Sequence, residues 1–149
     1  MALCELTIHE LQENLRQKEI KATEICQSLF QRISKVEASV RAYITITEEL
    51  AMKQAHEADT RFSKKGTHPP LLGIPLAIKD LICTKGIRTT CASHMLDNFV
   101  PPYNATTINR LLNNGAVILG KTNQDEFGMG SSTETSFFGI TRNPWNLQM

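Results

Sequence analysis

The hydrophobic period of the chain changes halfway along, and this limits the fold more than any other feature. Up to residue 62, apolar side chains recur every three or four positions. Ile8, Leu11 and Leu15 share one helical face, and Ile25, Leu29, Ile33 and Val36 share another, with Phe30 beside them. Leu50, Ala51, Ala55, Ala58 and Phe62 make a third such stripe. Past residue 70 the apolar residues gather into runs too short for helices, at 73–78 and 116–119. Charge follows the same division. Residues 1–75 carry 10 basic and 10 acidic side chains, against 6 and 5 in residues 76–149, which also hold six of the eight glycines. Wet amphipathic helices therefore precede buried strands and tight turns. The seam is residues 63–70, SKKGTHPP, with the composition of an exposed loop.

Local signals place the elements. Thr7 and Glu10 form a capping box, with Leu6 and Leu11 as its hydrophobic staple. A second helix is predicted from about Thr23 to Val36, a short β-prone stretch over 43–46, and a third helix opening at Thr47. Pro75 suits the start of a strand. Asn104 is the expected cap of a helix through Ile108, Leu111 and Leu112, with Gly115 as its left-handed stop. Asn123 and Glu126 form a possible capping pair over another short helix. Helices alternating with buried strands predict the α/β class, with N-terminal helices followed by part of a mixed β-sheet flanked by helices.

Composition removes several function classes. The net charge is +1, so no basic excess marks a nucleic-acid binder. The four cysteines, at 4, 26, 83 and 91, form no C-x-x-C pair or zinc spacing and read as small apolar residues in a reducing compartment. No two histidines stand at i, i+4, so no metal pair is expected. The first residues resemble neither a signal peptide nor a transit peptide, and no stretch approaches the ~20 apolar residues of a membrane span. A reducing, cytoplasmic setting is the expectation.

Two segments could carry chemistry. Lys79 follows an apolar strand in LAIKD. A lysine drawn from water at a strand end can act as a general base, whereas one paired with Asp80 in solvent is merely a surface cation, and the residues leave both open. Ser131, Ser132 and Ser136 lie in GMGSSTETSFFG, which either supplies a nucleophile and oxyanion amides or forms a plain polar loop. No phosphate-binding glycine motif occurs. Gly120-Lys121-Thr122 looks like the tail of one, with the wrong upstream spacing.

The runs LLGIPLAIKD (71–80), GAVILGKTNQDEFGMGSSTETSFFG (115–139) and NPWN (143–146) resemble the amidase signature family, and the resemblance covers the whole chain. Within it, DEFGMGSSTE followed by NPWN is most similar to the A-subunit branch of the tRNA-dependent amidotransferases. The resemblance implies a Ser–Ser–Lys amidohydrolase in which Lys79 is the lysine. Met129, Gly130 and Ser131 match a segment bordering the family's active site and are expected to line the pocket. Both catalytic serines are expected beyond Met149, so residues 1–149 read as the N-terminal part of a single amidase domain, with 1–65 mainly helical and 71–149 holding the first sheet strands and helices. The implied activity is release of ammonia from glutamine. A tRNA-binding B subunit would use the ammonia with ATP and Mg²⁺ to amidate Glu-tRNA(Gln) or Asp-tRNA(Asn), braced by a small C subunit. No cofactor or metal is expected in this chain. The alternatives are a stand-alone amidase of the same family and a catalytically inert binding module.

Overall fold

The computed structural model describes residues 2–149. Four helices and three strands follow in the order α1 (Ile8–Gln17), α2 (Ala22–Val40), β1 (Tyr43–Ile46), α3 (Glu48–Ser63), β2 (Pro75–Lys79), α4 (Thr106–Asn113) and β3 (Val117–Thr122). The sheet order is β1-β3-β2, with β1 antiparallel and β2 parallel to the central β3. The fold class is α/β with a mixed sheet, as the change of period predicts.

The helix signals act in part as expected. The Thr7 hydroxyl accepts the Glu10 amide at 3.3 Å, and the Thr7 amide donates to the Glu10 carboxylate at 2.7 Å, which completes the capping box. Leu11 and Leu15 are buried, but Ile8 is 46% exposed because it sits in the first turn, before the helix meets its neighbours. The second helix runs on to Val40 and starts a residue early, at Ala22. Its cap comes from α3: the Asp59 carboxylate accepts the amides of Ala22 and Thr23 at 2.7 and 3.3 Å. Thr47 precedes α3 without capping it, since its hydroxyl donates instead to the Ile118 carbonyl at 2.9 Å.

Two other caps fail. Ala105, not Asn104, is the residue before α4, because the Asn104 side chain is engaged by the Lys85 amide at 2.6 Å and by Asn109 at 3.0 Å. Gly115 does supply the left-handed stop, with φ +83°. After β3 only a single 3-10 turn forms, over Glu126–Gly128, preceded by Asp125. Asn123 is occupied elsewhere: its side-chain amide donates to the Gly139 carbonyl and the Thr141 hydroxyl at 2.8 and 3.1 Å.

Helices cover both faces of the sheet. Val117 and Leu119 join the main core with Leu15, Ile25, Phe30, Ala55 and Phe62 from α1, α2 and α3. Ile118 and Ile78 face the other way, onto Ile108 of α4 and Ile87. β3 is thus buried on both sides, as a central strand between helical layers must be.

The register of β3 slips between its partners. Leu76 pairs with Ile118 and Ala77 with Gly120, so Leu119 is an extra residue, a β-bulge. Downstream of it, Ile78 pairs with Lys121 and Lys79 with Thr122. Directly paired residues share a face. The bulge therefore turns Lys121 onto the Ile78 face, where uninterrupted alternation would have placed it with Val117 and Leu119. A side chain at Gly120 is excluded, because its Cβ would lie 2.3 Å from the Thr45 carbonyl oxygen of β1.

Candidate active site

Lys79 ends β2 with its side chain exposed, at an open cleft of about 400 Å³. Residues following β3 form the rest of the wall, among them Gln124, Asp125, Gly130, Ser131 and Arg142. Lys79, Gly130 and Ser131 are thus brought together from positions fifty residues apart. Met129 does not join them: it is 74% exposed and its side chain is not part of the cleft lining. Among the described residues nothing buries Lys79. The buried strand-end lysine is Lys121, which follows an apolar run in the same way and carries the same signal in the sequence.

Lys79 is not paired with Asp80 either. Alternation at the strand end sends the two side chains to opposite faces, and Asp80 is fully buried. Its Oδ2 accepts the amide and hydroxyl of Thr90 at 2.8 and 2.5 Å. Its Oδ1 lies 3.5 Å from Lys121 Nζ, which itself donates to the Ile82 carbonyl at 2.9 Å and the Thr89 hydroxyl at 2.7 Å. Burial pushes Lys121 below the usual lysine range, while the Asp80 charge pulls it back. Lys121 is sealed from the cleft, and Lys79 is open to it.

The glycine- and serine-rich loop folds around Asp125. One carboxylate oxygen accepts the amides of Ser132 and Thr133 at 3.0 and 2.9 Å. The other accepts the amide and hydroxyl of Thr135 at 3.3 and 3.1 Å. The Thr133 amide, followed by the Thr135 and Ser132 contacts, holds the Asp125 carboxyl below the ordinary carboxylate range against the opposing effect of burial. These amides are consumed internally and are not free to bind an oxyanion. The wrap needs glycine at 130, where a Cβ would stand 2.3 Å from Asp125 Cγ. Nothing in the sequence marks Asp125 as this hub, because its partners lie seven to ten residues ahead.

The serines divide by environment. Ser136 donates its hydroxyl to the Asn123 side-chain oxygen at 2.6 Å and accepts the Phe138 amide at 3.2 Å, a structural role. Ser131 and Ser132 are exposed. Gln124 is 3% exposed, and among the described residues its side-chain oxygen and nitrogen find no hydrogen-bond partner. All four cysteines are free, and only Cys26 is fully buried. Among the described residues no group of three or more His, Cys, Asp or Glu is placed to hold a metal ion. No helix among them is long and apolar enough to cross a membrane.

A family model described as Amidase matches residues 24–149. The chain is 55% identical over 148 residues to the A subunit of glutamyl-tRNA(Gln) amidotransferase from Geotalea daltonii, covering 99% of this chain and 30% of that protein. It thus spans about a third of the length of the curated relatives it matches. Among solved structures, the native peptide amidase of Stenotrophomonas maltophilia superposes with a TM-score of 0.86 at 32% identity, over 96% of this chain and 31% of the other. The A subunit of glutamyl-tRNA(Gln) amidotransferase from Thermotoga maritima gives 0.69 at 34% identity, over 97% and 28%.

Proposed function

The chain belongs to the amidase family, and we propose that it forms the lysine-bearing part of the amide-hydrolysing site in the glutamine-hydrolysing subunit of a tRNA-dependent amidotransferase. The observation that carries this reading is the placement of Lys79. It lines the same cleft as Gly130 and Ser131, with its sequence neighbour Asp80 on the opposite face. A primary amine so placed can accept a proton from a hydroxyl that attacks an amide carbon and return it to the departing nitrogen. The relay serine and the attacking serine are not among Ser131, Ser132 and Ser136. Ser136 is committed to Asn123, and the other two lie in the loop that wraps Asp125. Gly130 and Ser131 border the site through that loop rather than taking part in the chemistry, and Met129 precedes them outside the cleft lining. Glutamine is the substrate on this reading. The ammonia released passes to a tRNA-binding B subunit that binds ATP and Mg²⁺, with a small C subunit bracing the two.

The 149-residue chain incubated with glutamine should release no ammonia above a Lys79→Ala control. Joined to the remainder of an amidotransferase A subunit, and assembled with the B and C subunits, the same chain should support turnover. There Lys79→Ala and Lys79→Arg should each reduce kcat by roughly 10²–10⁴-fold, because alanine has no base and a guanidinium does not release its proton. Near-normal turnover in Lys79→Arg would reduce Lys79 to a structural cation.

A further inference from the structure

Proton transfer at Lys79 makes no direct use of the two most deeply buried charges in the fold, Asp80 and Lys121. Both side chains are fully buried, and neither lines the cleft. Desolvation cancels most of the attraction inside a buried ion pair, so stability alone is a poor reason for keeping one. Position supplies a better reason. Asp80 follows Lys79 directly, and an uncompensated carboxylate there would favour the charged form of the neighbouring amine. The bulge at Leu119 turns Lys121 onto the Asp80 face, and the neighbouring residues Thr89 and Thr90 secure both partners, Thr89 on Lys121 and Thr90 on Asp80.

Resting on the reading of Lys79 as the proton acceptor of the cleft, we propose that Lys121 is a charge-compensating positioning residue. It pairs with Asp80 inside the fold, so that the Lys79 amine meets the cleft with no net negative charge behind it. The other charged groups on the Lys79 side are Asp125 and Arg142, which line the same cleft, while Cys83 and Cys91 lie behind it near Lys121. All four stay the same in the variants that test the proposal.

Acetic anhydride acylates only the neutral amine, so its rate at Lys79 reads the charge behind that amine without requiring turnover. Acetylation of the 149-residue chain at pH 8 is followed by peptide mass spectrometry, with the exposed Lys64 and Lys65 as internal references and circular dichroism as the check on folding. Lys121→Gln leaves Asp80 uncompensated and should slow Lys79 acetylation about fivefold. Asp80→Asn leaves the cation and should speed it by a similar factor. Lys121→Arg, and the double variant Asp80→Asn/Lys121→Gln, should both fall near the wild-type rate. A general loosening of the fold would move both single variants in the same direction, and that result, or no change in either, overturns the proposal. If Lys121→Gln does not fold, Asp80→Asn and Lys121→Arg decide it: a rise in the first with no change in the second supports compensation, and any other pattern refutes it. Ammonia release is measured separately. Its absence in the assembled enzyme would count against amide hydrolysis while leaving the acetylation result standing.

Discussion

Four donors converge on the Asp125 carboxylate, and the loop from Gly130 to Thr135 owes its shape to them. Asp125→Ala removes every one of those acceptors. Hydrogen exchange at the Ser132, Thr133 and Thr135 amides should then rise to the level of an unstructured loop, while α2 and β3 keep their protection. The pH dependence has a fixed sign. The carboxyl is held below its ordinary value in the folded chain, so its contribution is complete above the ordinary carboxylate range and is lost as pH falls through the lowered value. Amide exchange of the loop, normalised for intrinsic rate and followed by NMR from pH 6 to pH 2, should show protection disappearing only at the acid end. Gln124 presents the opposite case, a buried carboxamide with neither end satisfied. Replacing it with methionine, similar in size and without the polar atoms, removes that penalty. Gln124→Met should raise stability by about 1 kcal/mol, read from the urea midpoint. A loss of stability would mean that the carboxamide has a partner after all.

In the first helix, packing and capping can be ranked. Leu15 is buried in the main core, and Leu15→Ala should cost about 3 kcal/mol through lost burial and the cavity left behind. Thr7→Ala removes one surface cap and should cost about 1 kcal/mol. Urea unfolding of the two variants checks the order, and a larger effect at Thr7 would mean that α1 is held mainly by its cap. The helical stripes were legible because burial against one neighbour repeats at the helical period. Caps were less legible. Asn104, Thr47 and Asn123 have the right chemistry at plausible positions, but each is drawn off by a partner that only folding brings near: the Lys85 amide, the Ile118 carbonyl, and the Gly139 carbonyl with the Thr141 hydroxyl. Asp59 shows the converse, capping a helix that begins 37 residues before it.

Across the whole molecule, the sheet leaves β1 and β2 as its two outer strands, and a run of large apolar side chains stands exposed after β3. Phe137 is 53% and Trp145 95% exposed. Open strand edges beside exposed apolar surface favour self-association. Sedimentation velocity of the isolated chain should show species larger than a monomer growing with concentration, and a monodisperse monomer at about 100 µM would contradict this. The amino-acid sequence by itself determined the α/β class, the positions of the strands and the family motifs, because periodicity and short motifs are properties of neighbouring residues. It also singled out Lys79, through the motif and not through burial. The tertiary structure alone decided which strand-end lysine is hidden. LAIK and VILGK read alike, yet a one-residue bulge in β3 turns Lys121 inward to meet Asp80 while Lys79 stays open to the cleft. Register is a relation between strands, and a single extra residue in one of them reverses the face of every side chain that follows.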